Sequence, residues 1–424
     1  MSAGKDATLV TPAYLIVVPA PFWRVDDRRA AVESAFARHL VALLASLQPH
    51  YREVVVAAPV MDAAGYEQVK SRCLQLDRER DGVRFVALRP ESVGVGGVVL
   101  RIPSMLRILW REIGRAGVVH AGPSQLLTPM ENLALALGYL RGRRRVFVVD
   151  IDWRESARMN LATGQWSRGV YLRARWVHHA WLAFQTRIAS RTCHVLLLKG
   201  RKLIADFARG APNAHTFLDA VHSEEMVLDA DAAASKRERV ARSDGPLRCL
   251  YFGRLTHYKG VTAMIEAVAL ARTRGAALTF DILGEGDQEA ELRALVAAKG
   301  LEGCVKFHSP RPYGVEFLSS LDEFDLMLAA PLAEDTPRSA VDVQSRGIPL
   351  LAFDTYYYVE LAAAGASVLC TPWRDIEAFA QRLVDLASNR APLAELVPPA
   401  VEFARQNTQE IWLARRAAWT LDAP

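Results

Sequence analysis

The chain predicts an α/β protein of two domains, each a parallel sheet wrapped by helices. Three observations carry this. Short apolar runs alternate with helical patterns from one end to the other. At 424 residues the chain exceeds what one core usually supports and fits two units. A charge- and alanine-rich stretch at 228–245 (LDADAAASKRERVARSDG), without apolar periodicity, interrupts the series. The predicted division is 1–228, a linker at 229–246, a second domain at 247–401 and a closing helix at 402–424.

In the first domain the predicted parallel strands are 14–18 (YLIVV), 53–58, 83–88, 117–121, 145–150 and 194–198. They are short and rich in Val, Leu and Ile, as strands buried on both faces are. Helical patterns at 27–48, 103–115, 125–141 and 168–191 separate them. The second series has strands at 247–252, 278–283, 305–309, 324–331, 348–353 and 367–371. Hydrophobic residues make up 51% of the chain, enough for two buried sheets. The final segment, with Ile411, Trp412 and Trp419, is helical.

Glu334-Asp335-Thr336-Pro337-Arg338-Ser339-Ala340-Val341-Asp342 follows the 324–331 run and precedes Gly347 and Pro349. Pro337 and Ser339 stand where a helix starts and Gly347 where one ends. Glu334 is therefore expected at the C-terminal edge of the sheet, and Asp342 about two turns into the helix. A carboxylate, free backbone N–H groups and a positive helix end in one crevice suit a sugar diphosphate. Ordinary helix-capping acids would give the same stretch. A second motif, 251–260 (YFGRLTHYKG), links an apolar run to a periodic segment through a glycine turn. Arg254 and Lys259 place two cations on it, suited to a phosphate or to a solvated loop.

Together these segments resemble the donor-binding half of retaining glycosyltransferases with two Rossmann-like domains, the GT-B architecture, in the glycosyl transferases group 1 family. The G-R-L-x-x-x-K-G pattern is met by Gly253, Arg254, Leu255, Lys259 and Gly260. The I-x-G-x-G turn is met by Ile282, Gly284 and Gly286, and V-x-F by Val305 and Phe307. The Glu-x7-Glu signature with G-x-P is met by Glu334, Asp342, Gly347 and Pro349. The likeness is firm over 247–390 and thinner over 13–220. Two positions depart from the pattern: Asp342 replaces the usual Glu, and Pro337 stands where Gly is frequent.

The resemblance implies that Arg254 and Lys259 bind the donor diphosphate and that Glu334 lies beside the sugar hydroxyls. It places Gly253 in the donor turn, Arg338 and Ser339 amides on phosphate oxygens, and Asp342 on the ribose. It also implies a closing helix that crosses back onto the first domain. The expected activity is transfer of a hexose-type sugar, with retention, from a nucleoside-diphosphate donor to a lipid-linked or polysaccharide-intermediate acceptor. The donor is a substrate; no cofactor and no metal are expected. A sugar-nucleotide epimerase or a non-catalytic, membrane-associated partner of a transferase are the alternatives.

The net charge of +5 is unevenly placed. Arg107, Arg111 and Arg115 recur at helical spacing opposite an apolar arc, and 165–193 holds five arginines, several aromatics and no acid. Such surfaces attract anionic membranes or lipid diphosphates, although a domain helix with a solvated arginine edge looks the same. Neither stretch matches a nucleic-acid-binding module. The aromatics of 165–193 share no clean helical face, so part of that segment is expected to be buried. Asp150 and Asp152 end a strand and are expected to cap a loop or face the acceptor. His120 is expected as a hydrogen-bonded core histidine, and 92–98 (SVGVGGV) is a Gly-rich stretch of the kind that can approach a ligand, although a lone GxGG is a weak signal. Five scattered cysteines suggest core thiols in a reducing compartment. The first ten residues lack a signal-peptide pattern and no run approaches a membrane span, so a cytoplasmic protein is expected, peripheral at most to the inner membrane face.

Overall fold

The computed structural model describes residues 12–422 apart from 63, 64, 71, 72 and 243. The N-terminal ten residues, with the signal-peptide reading, lie outside these.

The first sheet contains β1 (Ala13–Val17), β2 (Phe22–Arg24), β3 (Arg29–Glu33), β4 (Val54–Met61), β5 (Cys73–Asp77), β6 (Val83–Pro90), β7 (Ala116–Ala121), β8 (Arg144–Val149), β9 (Val195–Leu198) and β10 (Ala214–Thr216). Their order is β10-β9-β8-β7-β1-β4-β2-β3-β5, with β6 also paired to β4. Pairing is parallel except at β2–β3 and β3–β5, which form an antiparallel edge. That edge corrects the helical reading of 27–48. Ala30, Ala31 and Val32 are buried in succession, a burial that a helical face cannot provide, and the helix begins only at Ser34.

The second sheet contains β11 (Leu247–Phe252), β12 (Leu278–Leu283), β13 (Val305–His308), β14 (Leu326–Ala329), β15 (Leu350–Phe353) and β16 (Val368–Thr371). All pairs are parallel, in the order β13-β12-β11-β14-β15-β16. The order reverses between β11 and β14, so connections leave their C-terminal ends in opposite directions and open a crevice there. The 251–260 and 334–342 motifs flank that crevice.

The linker reading needs correction. Ala230–Ala241 is a helix of the second domain. Asp229 caps it by accepting from the Ala232 N–H at 2.8 Å, and Val240 is buried in the core beside β11. Arg239 pairs with the buried Asp325 at 2.9 Å. Alanine's helix propensity and ionic anchoring replace the apolar stripe that the composition lacks.

The helix Val95–Arg115 starts earlier than predicted, with Gly94 before it, and passes through the exposed Pro103. The 92–98 stretch is thus a helix start. The 168–191 segment is a continuous helix interrupted by a π-helical turn at Ala174–His178. The extra residue in that turn rotates the pattern, which is why its aromatics share no ideal face. Val397–Gln406 remains with the second domain, whereas Gln409–Asp422 buries Leu413 and Ala417 against the first. No helix among the described residues is long and apolar enough to cross a membrane. The described cysteines form no disulfide; Cys193, Cys249 and Cys304 are buried, Cys73 is intermediate and Cys370 exposed.

Candidate active site

Glycines set the crevice walls. A Cβ on Gly260 would stand 1.8 Å from the Ala330 carbonyl oxygen, and its φ is +67°. Only glycine lets the 253–260 loop close onto the end of β14. Gly284 is needed likewise, because its Cβ would meet the Gly253 carbonyl at 1.9 Å.

Lys259 and Ser339 line one small cavity with Asp335 and Pro337, so the structure brings the two motifs together. Lys259 is not a free cation: its Nζ lies 2.5 Å from Asp335, both side chains being largely buried. Arg254 is exposed and donates to the Tyr258 hydroxyl at 2.7 Å. Gly253 stands between the end of β11 and Arg254, its N–H donating to the Leu283 carbonyl at 3.0 Å. The segment Ser339–Asp342 is a single helical turn followed by a tighter one, Val343–Arg346. The N–H groups of Ala340, Val341 and Asp342 donate to the Pro337 and Arg338 carbonyls, and those of Arg338 and Ser339 precede this ladder. Arg338 is exposed, and its charge reaches Asp219 and Asp150 of the first domain.

Glu334 lines a cavity of about 320 Å³ between the domains, with Asp150, Lys199, Lys202, Thr336 and Glu360 among its walls. Its Oε2 is buried and accepts no hydrogen bond among the described residues. Burial first, then the Glu155 and Asp152 carboxylates, push its pKa up to about 8.

Asp342, expected at the ribose, is turned toward the segment entering the second domain. It is 1% exposed, and its Oδ1 accepts from the Val221 N–H (3.0 Å) and the His222 N–H (3.1 Å) and meets His222 Nδ1 (3.1 Å). His222 Nε2 lies 2.9 Å from the Ala404 carbonyl. Burial opposes charge on His222, but Asp342 outweighs it and holds the pKa above its ordinary value. These contacts tie Asp342 to the segment entering the second domain.

On the first domain, Asp152 caps the helix Trp153–Ala162 through the Arg154 N–H, and both Asp150 and Asp152 line the cavity. His120 accepts or donates at Nδ1 with the Tyr14 hydroxyl, 3.0 Å away. Sequence reasoning missed Lys199, Asp219 and Arg416. Asp219 binds Lys199 at 3.0 Å and Arg416, on the closing helix, at 2.6 Å. Arg416 lies 197 residues from Asp219 and Lys199 lies 20 residues from it, separations that no helix or strand spacing announces. Arg107, Arg111 and Arg115 are exposed on Val95–Arg115, remote in sequence from this site; Arg111 pairs with Glu112 at 3.0 Å. No group of three or more His, Cys, Asp or Glu among the described residues is arranged to hold a metal ion.

The architecture is GT-B: two α/β domains with parallel sheets and a crevice at the second domain's switch point. Over 97% of the chain it superposes on all of HepE from Anabaena, solved with UDP and glucose, with a TM-score of 0.63 at 15% identity. WaaG, a glycosyltransferase involved in lipopolysaccharide biosynthesis, gives a TM-score of 0.62 at 16% identity, covering 96% of this chain and 98% of that one. Residues 233–402 match the family model described as Glycosyl transferases group 1. The chain is 31% identical over 158 residues to the amylovoran biosynthesis glycosyltransferase AmsK of Erwinia amylovora, covering 36% of this chain and 39% of that protein. It is 30% identical over 196 residues to the alpha-D-kanosaminyltransferase of Streptomyces kanamyceticus, covering 43% and 49% respectively. The matched part thus spans less than half the length of these two relatives.

Proposed function

We propose that this protein is a glycosyltransferase moving a hexose-type sugar, with retention, from a nucleoside-diphosphate donor to a lipid-linked or polysaccharide-intermediate acceptor. The observation that carries the reading is the meeting of Lys259 and Ser339 at the switch-point crevice, with Glu334 facing the first domain beside it. The family match over 233–402 and the relatives' sugar-transfer activities support it.

In this reading the diphosphate lies against Arg254, Lys259, Arg338 and the Arg338 and Ser339 amides. As the glycosidic bond breaks, its electron pair passes to the leaving diphosphate, whose growing charge these groups stabilise. The acceptor hydroxyl attacks from the same face and passes its proton to the departing diphosphate oxygen, so no protein nucleophile is assigned. Glu334, protonated at pH 7, offers both a donor and an acceptor to a sugar hydroxyl. The set needs neither a cofactor nor a metal, and the protein works in the cytoplasm, peripheral to the membrane's inner face.

A thermal-shift panel of nucleotide sugars tests the reading. A binder at 100 times its Kd adds about 2.7 kcal/mol of stability. Arg254→Ala should remove that shift and lower transfer on the order of 100-fold with little change in the unliganded Tm, since Arg254 is exposed. Absence of any shift across the panel, or an unaffected Arg254→Ala enzyme, overturns the donor site.

A further inference from the structure

Of the 19 large apolar side chains exposed among the described residues, 14 fall between 95 and 188. The helices Val95–Arg115, Met130–Leu140 and His179–Thr192 form one layer on the first sheet, sending Met105, Leu109, Ala134 and Leu182 into a common core. A helix of such a layer normally turns polar residues outward. Here Leu100 is 82% and Leu140 72% exposed, and Trp176, in the π turn leading into the third helix, is 72% exposed. Val177 in the same turn, and Phe184 and Ile188 four residues apart on the helix, are exposed as well.

The charge between these side chains has one sign. Arg101, Arg107, Arg115, Arg173, Arg175 and Arg187 are exposed. Between 95 and 149 the acids are Glu112 and Glu131, both buried, and there is none from 156 to 205. Arg141 stacks its guanidinium 3.7 Å from the ring centre of the exposed Trp110, joining the first two helices with a cation on an aromatic face.

The occupant must therefore take both apolar tips and uncompensated arginines. A second copy of the chain would oppose like charges. Nucleic acid would take the arginines and leave the leucines in water. An anionic bilayer takes both, apolar tips at the acyl boundary and arginines at the headgroups. We propose that this face of the first domain seats on an anionic lipid surface.

The seat adjoins the cavity. The helix Arg168–Arg173 packs on Trp153–Ala162, whose Glu155 and N-cap Asp152 raise the Glu334 pKa. Arg158 on that helix pairs with Glu155 and lies 5.9 Å from the Trp373 ring of the second domain. An acceptor with its tail in the bilayer would reach Glu334 from this side; only this step rests on the glycosyltransferase reading.

The test is cosedimentation with vesicles of phosphatidylcholine alone or mixed with phosphatidylglycerol, at low and high salt. Wild type should bind the anionic vesicles and release with salt. Arg107→Glu/Arg115→Glu/Arg187→Glu should weaken binding on the order of 100-fold. Leu100→Ser/Leu140→Ser/Trp176→Ser should bind at low salt and release at lower salt than wild type. Wild type remaining in the supernatant, equal binding to both vesicle types, or a dimer that the serine variant dissociates would each overturn the proposal. Nucleotide-sugar thermal shifts on the same proteins separate the two readings: lost vesicle binding with an intact shift sinks the lipid seat alone, and no shift in wild type sinks the donor site alone.

Discussion

A buried carboxyl whose second oxygen has no partner, standing among other carboxylates, holds its proton more tightly in the folded chain than in the unfolded one. Glu334 is in that position, with a pKa near 8 against an ordinary 4.5. From about pH 4.5 to 8, unfolding therefore releases a proton, and stability falls as pH rises, by at most about 1.4 kcal/mol per pH unit from this group. Glu334→Gln is neutral throughout. It should flatten that slope and be more stable than wild type at pH 9, in urea titrations run across the range. Parallel pH profiles for the two proteins would mean that Glu334 ionises normally. Glu334 was legible in the sequence because its motif is local: a strand, an acid and a helix start within 20 residues. Asp335 lay beside it unremarked, since its pairing with Lys259 spans 76 positions.

At the scale of elements, strands were the most legible feature. All six strands of the second domain sit within two residues of where apolar runs placed them, because buried parallel strands have no polar face to confuse the pattern. The misread elements are those held by something other than an apolar stripe: the antiparallel edge at β3, the ion-anchored helix Ala230–Ala241 and the π turn at Ala174–His178. The pin between Ser339–Asp342 and the 221–222 segment was likewise invisible, since Val221 and His222 stand 121 and 120 positions from Asp342. It carries its own prediction. Asp342→Ala strips three donors of their acceptor and should cost about 3–5 kcal/mol. Asp342→Glu forces a methylene into a closed site and should cost about 1–3 kcal/mol. Chemical denaturation measures both; unchanged midpoints would return Asp342 to the crevice as a ribose ligand.

At the scale of the whole molecule, several of the contacts between the two domains are polar. Glu360, on Tyr356–Ala363 of the second domain, accepts from the Arg201 N–H (3.0 Å) and the Lys202 N–H (3.2 Å) at the first turn of Arg201–Phe207 in the first. Arg374 donates to the Ala162 carbonyl at 2.7 Å, and Lys199 stands 3.5 Å from the Thr336 carbonyl. Glu360, Lys199 and Lys202 also line the cavity that holds Glu334, so what holds the domains together also shapes the site. Polar contacts of this kind favour reversible opening over a fixed interface. Glu360→Ala removes a charged acceptor from two backbone donors, each such bond being worth about 1.5–3 kcal/mol. The domains should then separate more readily about the 221–228 and 407–408 crossings. Small-angle scattering should show a larger radius of gyration for the unliganded variant, and saturating donor should shift both proteins toward the compact form if it bridges the domains. Glu360→Gln keeps one acceptor oxygen and should fall between. If the Ala variant scatters as wild type does, the remaining contacts hold the cleft closed and Glu360 serves only to cap the helix start.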